Sequence, residues 1–153
     1  DYTLQLGRIF FELKAGKIPG FPPGGSSFCH VTEVAKGHIT AATQGRPGEA
    51  YLCTGHNMSY QQWFSLMAKA VGAEAPKRTL PRWAFTLYGK LCELLSEITG
   101  KAPDMNPGQA RYLSSYQYMD CSKAQRELNY KIPTEEDMIQ SALDWYRKNG
   151  FSI

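Results

Sequence analysis

Two short strand-like runs separated by one amphipathic helix constrain this fold more than any other feature of the sequence. The runs are Phe28–Val31 and Ala50–Thr54, and the helix predicted between them extends from Glu33 or Val34 to Gln44. Two strands do not make a stable sheet, and strands joined through a helix are parallel strands that need further neighbours. The sequence therefore predicts an α/β protein that ends a larger fold, with an incomplete sheet.

Helical periodicity and capping residues predict that the rest of the chain is mostly helical. The predicted helices are Leu4–Lys14, a helix capped by Ser59 and ended by Gly72, Arg82–Thr99, Ser122–Leu128 capped by Asp120, and a last helix capped by Thr134. Stretches rich in proline and glycine predict loops at Lys17–Ser27, Pro76–Pro81 and Pro103–Gly108.

Charge and hydropathy exclude several classes of partner. The 153 residues fit one domain, and their formal net charge of +3 is spread along the chain. We therefore expect neither a nucleic-acid partner nor a membrane partner. The most apolar stretch, Trp83–Ile98, is too short to span a bilayer and contains Lys90, Glu93 and Glu97. Because the chain has no signal peptide and begins with Asp1, we expect a processed or excised piece of a longer protein.

The cysteines do not indicate a metal site or a disulfide framework. Cys29, Cys53, Cys92 and Cys121 are widely spaced, with no C-x-x-C pair and no cysteine–histidine cluster at zinc spacing. We expect free, buried, reduced thiols, and thus a cytoplasmic protein without a bound metal.

Five segments in order resemble the extended short-chain dehydrogenase/reductases, the superfamily of nucleotide-sugar epimerases and dihydroflavonol reductases. The segments are Phe28-Cys-His-Val-Thr-Glu-Val-Ala-Lys-Gly-His38, Gly45-Arg-Pro-Gly-Glu-Ala-Tyr51, Asn57-Met-Ser59, Tyr118-Met-Asp-Cys-Ser-Lys-Ala-Gln-Arg-Glu-Leu-Asn-Tyr130 and Trp145-Tyr-Arg-Lys-Asn-Gly-Phe151. The resemblance implies the C-terminal part of a Rossmann-type fold over residues 1–153, a mostly helical substrate-binding portion with a few short strands.

The resemblance also implies that the cofactor site and the catalytic residues lie in an N-terminal half. A glycine-rich turn binds the pyrophosphate of NAD or NADP, and a Tyr-x-x-x-Lys pair transfers the proton. No tyrosine here has a lysine four residues later, and Gly45-x-x-Gly48 follows a helix and leads into a predicted strand. We therefore expect the parent protein to use NAD or NADP. The chain alone should have no catalytic residue, no cofactor-binding residue and no turnover.

Departures from the family pattern point to an uncharged substrate. Members acting on nucleotide sugars typically carry an Arg-Asp pair where this chain has Ser26 and Ser27, and an R-x-G-D where it has Tyr112-Leu-Ser-Ser-Tyr116-Gln. Without these guanidinium groups a diphosphate has no bidentate partner. The chain thus resembles the dihydroflavonol reductases, which implies a fairly apolar carbonyl or alcohol as substrate. Arg111 is a weak alternative ligand for an anion.

Six residues are the candidates for a substrate pocket: Ser26, Ser27, His30, Trp83, Leu87 and Arg111. Some of these assignments have a structural alternative. His30 also fits a core histidine whose ring nitrogens are hydrogen-bonded, and the apolar face of Arg82–Thr99 also fits a helix packed into the core. Loops at Pro22–Ser27 and Pro103–Gln109 are expected pocket rims.

Two other functions remain open on the sequence. One is a nucleotide-sugar epimerase or dehydratase, and the other is a non-catalytic binding or regulatory protein derived from the fold. In either case an unpaired sheet edge leads us to expect a homo-oligomer or strand exchange.

Overall fold

The computed structural model describes residues 7–103 and 105–153 and contains seven helices and three strands in that part of the chain. The elements are α1 (Arg8–Lys14), β1 (Gly25–Phe28), α2 (Val31–Gln44), β2 (His56–Ser59), α3 (Tyr60–Ala70), α4 (Arg82–Thr99), α5 (Pro107–Leu113), β3 (Tyr116–Gln117), α6 (Ser122–Leu128) and α7 (Glu135–Lys148). The predicted α/β class, mostly helical with a few short strands, is confirmed. The start of the first predicted helix, Leu4–Leu6, lies outside the described residues.

The three strands form one small sheet in the order β2–β1–β3. Strands β1 and β3 are parallel, with Gly25 opposite Tyr116 and Ser26 opposite Gln117. Gly24, just before β1, allows a close approach, because a Cβ there would lie 2.3 Å from the carbonyl oxygen of Ser115. This strand pairing thus depends on a residue without a side chain.

The described residues divide into two compact units. Unit 1 comprises the described part of Asp1–Ser26 together with Ser59–Gln117, and unit 2 comprises Ser27–Met58 and Tyr118–Ile153. Unit 1 contains α1, α3, α4 and α5, and unit 2 contains α2, α6 and α7.

Aromatic packing forms the core of unit 1. The Phe21 ring, 1% exposed, lies edge-on to Phe64 at a centroid distance of 6.2 Å, and Tyr60 contacts Phe64 in the same way at 6.1 Å. Ser59 caps α3 through a capping box with Gln62, as the sequence predicts. Helix α4 has the predicted bounds, and Gly100 ends it in the left-handed conformation.

The core of unit 2 lies beside α2, α6 and α7. The buried residues Ala124, Leu128 and Tyr130 form a cluster against which Ala41 and Tyr51 pack. Helix α7 adds four buried residues, Met138, Ile139, Leu143 and Tyr146. Thr134 caps α7 as predicted, since its side chain accepts a hydrogen bond from the backbone N–H of Asp137.

Several predicted elements are wrong or displaced. Ala50–Thr54 forms no strand, because no described residue pairs with it in a ladder, and the strand follows at His56–Ser59. The first predicted strand ends at Phe28, and α2 begins at Val31. Helix α5 and strand β3 were not predicted at all.

Two smaller predictions also need correction. Asp120 is not at the N-cap position of α6, which Cys121 occupies, but its carboxylate accepts a hydrogen bond from the Ser122 backbone N–H at 2.9 Å. All four cysteines are free, as expected, although only Cys121 is buried and Cys29 is exposed.

Candidate functional site

Four of the six predicted pocket residues lie in unit 1. Ser26, on β1, is half-buried and hydrogen-bonds to the Tyr60 hydroxyl, while burial raises the pKa of Tyr60. Trp83 and Leu87 lie in the first turns of α4 and are 70% and 51% exposed. Arg111, on α5, is also exposed. The two apolar residues are one helical turn apart and therefore share a face of α4.

The other two candidates, Ser27 and His30, lie in unit 2. The Ser27 hydroxyl hydrogen-bonds to Thr54 and accepts from the Gly55 backbone N–H at 3.3 Å. His30 precedes α2, and its Nε2 lies 3.0 Å from Ser141 Oγ. Its Nδ1 is buried without a hydrogen-bond partner among the described residues. Both side chains thus make polar contacts within unit 2.

Two of the segments that carry the family resemblance, residues 45–51 and 118–130, are joined in unit 2 by an ionic network. The Arg46 guanidinium donates two hydrogen bonds to the Glu127 carboxylate, at 2.7 Å and 3.1 Å. The Tyr51 hydroxyl donates to the same carboxylate at 2.8 Å and accepts from the Arg46 backbone N–H at 3.1 Å. The hydrogen bond from Tyr51, followed by that from Arg46, lowers the pKa of Glu127.

Lys123 makes a second link between the same segments. Its Nζ donates to Glu49 at 2.6 Å and to the carbonyl oxygen of Ala50 at 2.8 Å, and it lies 4.6 Å from the centroid of the Tyr51 ring. The hydrogen bond from Lys123 lowers the pKa of Glu49. Lys123 thus links the segment around Glu49 to the first turn of α6.

Two further polar contacts join distant parts of unit 2. The Asn57 side chain donates to the carbonyl oxygen of Met119 at 2.9 Å and accepts from its backbone N–H at 3.1 Å. His56 Nε2 lies 2.7 Å from the carbonyl oxygen of Pro133, and His56 Nδ1 lies 3.2 Å from Glu135. The sequence contained Asn57 as part of a motif but had no signal for its partner.

A polar cleft of about 360 Å³ lies between α2 and the residues that follow α6. Its walls include Glu33, Lys36, Thr40, Leu128, Tyr130 and Lys131. Lys36 and Glu33 form an ion pair at 2.7 Å, and burial raises the pKa of Tyr130 to about 12, so its hydroxyl keeps its proton. The cleft contains none of the six predicted pocket residues.

Metal-ligating side chains and thiols are the remaining chemically reactive groups among the described residues. No group of three or more histidine, cysteine, aspartate or glutamate residues among them could hold a metal ion. Desolvation by neighbouring atoms raises the pKa of the thiols of Cys29, Cys53 and Cys121, even though Cys29 as a whole is exposed, and this keeps them protonated and weakly nucleophilic. Residues 7–103 and 105–153 also contain no helix with the length and hydropathy of a membrane span.

Helices α2, α6 and α7 and the small parallel pairing are similar to the C-terminal portion of a Rossmann-type fold, and the segments joined by the Arg46–Glu127 network resemble those of the extended short-chain dehydrogenase/reductases. The comparisons with known proteins confirm this resemblance. The chain is 24% identical, over 149 residues, to a Synechocystis protein named "Putative dihydroflavonol 4-reductase". It is 23% identical, over an alignment 161 positions long, to human short-chain dehydrogenase/reductase family 42E member 1.

Solved structures show the same fold. The crystal structure of gox2253 matches with a TM-score of 0.69, and that of a nucleoside-diphosphate-sugar epimerase from Pseudomonas aeruginosa matches with 0.66, both at 24% identity. Each match covers 95% of this chain but only 43–44% of the solved chain, and the chain spans 40–43% of the length of the curated relatives. No family model matches the chain.

Proposed function

We propose that this chain is the substrate-binding C-terminal part of an NAD(P)-dependent oxidoreductase. The observation that carries the proposal is the match of 95% of this chain to 43% of the protein named "Putative dihydroflavonol 4-reductase". The absence of a Tyr-x-x-x-Lys pair from all 153 residues supports a division of labour, in which the cofactor and the proton-transfer residues belong to a preceding half. The 153-residue chain alone then binds substrate but does not turn it over.

The substrate proposed is an uncharged, fairly apolar carbonyl or alcohol. Support comes from Ser26 and Ser27, whose hydroxyls hydrogen-bond to Tyr60 and Thr54, at the positions where a guanidinium would bind a diphosphate. Trp83 and Leu87 offer an exposed apolar surface that suits such a ligand. Arg111, also in unit 1, completes this proposed set of contacts.

A nucleotide-sugar substrate is the second candidate. The observation that favours it is the fold match to a nucleoside-diphosphate-sugar epimerase, together with the exposed guanidinium of Arg111. The two candidates differ in charge, because one ligand is neutral and the other carries a diphosphate.

Calorimetric titration separates the two candidates. We expect the purified chain to bind a dihydroflavonol and to show no heat of binding with UDP-glucose. Trp83→Ala should weaken dihydroflavonol binding by at least about tenfold. Ile39→Ala, which shortens a similarly exposed apolar residue on α2, is the matched control and should leave binding unchanged. Binding of UDP-glucose that is lost in Arg111→Ala would overturn the substrate proposal and favour the epimerase.

The proposal that the cofactor and proton-transfer residues belong to a preceding half has its own test. The intact mass of the natural gene product in its source cells should be well above 17.2 kDa, and the purified chain should not oxidise NADH or NADPH. A natural product near 17.2 kDa would exclude a parent enzyme and favour a binding protein.

A further inference from the structure

Helix α4 leaves an apolar face uncovered along its whole length. Leu87, Leu91, Leu94 and Ile98 are 51%, 50%, 53% and 73% exposed, and we refer to these four residues as the α4 seam. The opposite face is occupied within unit 1, since Phe85 and Gly89 are buried and a Cβ at Gly89 would lie 3.1 Å from Asn106. An exposed apolar face of this size normally indicates an interaction surface.

The spacing of the α4 seam is that of a coiled coil. Its members are separated by four, three and four residues, which is the alternation of d and a positions in a heptad repeat. Lys90 and Glu97 then occupy g positions beside the seam, and Tyr88 and Leu95 occupy e positions on its other side. A face with this repeat is shaped to receive another helix with the same repeat.

We propose that the α4 seam binds the α4 seam of a second copy of this chain, with the two helices antiparallel. In this arrangement a and d positions form mixed layers, so Leu87 packs on the partner's Ile98 and Leu91 packs on the partner's Leu94. The two-fold axis repeats each layer, which makes four layers in all.

The charges beside the seam favour this occupant and this direction. Antiparallel packing brings g positions together, so Lys90 lies opposite the partner's Glu97, and symmetry makes two such ion pairs. The e positions also meet, so Tyr88 contacts the partner's Leu95. Parallel packing would instead place each g position beside an e position, where Lys90 would meet the partner's Leu95 and have no opposite charge.

The area agrees with a dimer. Six large apolar side chains within the layers are about half exposed or more: Leu87, Tyr88, Leu91, Leu94, Leu95 and Ile98. At on the order of 100 Å² each they supply about 600 Å² per partner, which is the lower end of the range for stable interfaces. Leu87 belongs to the first layer, so dimerisation competes with the ligand contact proposed for Leu87, whereas Trp83 lies one turn before that layer and stays at the border.

A lipid surface fits this helix less well. Helices that lie on anionic membranes carry lysine and arginine on their polar face. Within α4 the cations Arg82 and Lys90 are balanced by Glu93 and Glu97. A bilayer would also not explain why a lysine and a glutamate are at complementary heptad positions.

Sedimentation velocity of the 153-residue chain tests the proposal through charge reversal. We expect the chain to be dimeric, and Lys90→Glu or Glu97→Lys alone to raise the dimer dissociation constant by at least about tenfold, because each places like charges together twice. An equimolar mixture of the two variants should form heterodimers again, since both cross-pairs are then complementary. Glu93→Lys is the matched control, with the same charge change on the same helix outside the seam, and should remain dimeric.

Several outcomes would overturn the proposal. These are a monomer at all concentrations, an equal effect of Glu93→Lys and Glu97→Lys, or failure of the mixed variants to associate. Flotation with vesicles of phosphatidylcholine and phosphatidylserine tests whether a lipid surface, rather than a second copy of the chain, binds the α4 seam. Vesicle binding by a chain that stays monomeric would assign the α4 seam to lipid. Circular dichroism of each variant should match that of the unmodified chain, since all three altered side chains are exposed.

Discussion

Arg46 and Glu127 are 81 residues apart in the sequence and form a bidentate ion pair, in which the guanidinium nitrogens lie 2.7 Å and 3.1 Å from the carboxylate oxygens. The pair links the turn before Tyr51 to helix α6, and Tyr51 itself donates to the same carboxylate. Residues that carry the family resemblance in the sequence thus contact each other in the folded chain.

Removal of the Arg46 side chain should destabilise unit 2. Arg46→Ala leaves Glu127 with only the Tyr51 hydroxyl among these partners, and the network is exposed, so we expect a thermal midpoint lower by a few degrees at most. Arg126→Ala, which removes a neighbouring exposed arginine of α6, is the control. Circular dichroism melting of both variants measures the difference. Equal midpoints for Arg46→Ala and Arg126→Ala would show that the ion pair does not contribute.

The same network predicts a loss of stability in acid. Hydrogen bonds from Lys123 and Tyr51 hold the pKa values of Glu49 and Glu127 below the ordinary value of 4.5. As the pH falls through 4.5, the unfolded chain therefore takes up protons before the folded chain does. The stabilisation is complete well above pH 4.5 and disappears as the pH falls through the folded values.

Urea unfolding between pH 7 and pH 3 checks this prediction. The double variant Glu49→Gln/Glu127→Gln should be less stable at pH 7 and should lose less stability on acidification than the unmodified chain. Glu136→Gln, at an exposed position in the first turn of α7, is the control. Parallel pH curves for the double variant and the unmodified chain would contradict the assignment.

Gly37 should not tolerate a side chain, although it lies inside a helix. An exposed helical glycine replaced by alanine usually gains about 1 kcal/mol. Here a Cβ would lie 2.7 Å from Cys53 Sγ and 3.0 Å from the buried Tyr130 ring. We therefore expect Gly37→Ala to reduce the free energy of unfolding by about 1–3 kcal/mol, as overpacking does. Gly108→Ala, in the first turn of α5 with only the Asn106 side chain nearby, is the control. A Gly37→Ala chain as stable as Gly108→Ala would refute the packing argument.

The cap of α7 provides a fourth prediction. The Thr134 hydroxyl accepts from the Asp137 backbone N–H at 3.1 Å and donates to the Asp137 carboxylate at 2.7 Å. Thr134→Ala should cost about 1 kcal/mol in denaturant unfolding. Thr134→Ser retains the hydroxyl and should recover most of the loss. A serine variant as unstable as the alanine variant would assign the effect to the lost methyl group.

Helix ends were the features that the sequence predicted best. Ser59 and Gln62 form their capping box, and α4 stops at Gly100, which has a φ of 67°. Helix α5 could have been recognised by the same kind of signal, since Asn106 and Gln109 form a capping box around Pro107. Such signals act over three or four residues and are therefore visible in a linear sequence.

Strands and side-chain partners depended on distant residues. Ala50–Thr54 has the composition of a strand but no ladder partner among the described residues, so it stays irregular. Asn57 binds the backbone of Met119, and nothing within a few residues of either indicates the other. Ser26 and Ser27 were pocket candidates because they depart from the family pattern, and nothing near Ser27 or His30 in the sequence indicates their contacts with Thr54 and Ser141.

The sequence by itself determined the α/β class, the caps of α3 and α7 and the absence of a Tyr-x-x-x-Lys pair, because local hydrogen bonding and residue identity suffice for each. Only the tertiary structure decided that Arg46, Tyr51 and Glu127 form one network and that the α4 seam is exposed. Burial and long-range pairing are properties of the folded chain, in which residues 76 or 81 positions apart come within 3 Å. The same apolar pattern on α4 fits a core or a surface, and only packing against α5 distinguishes its two faces.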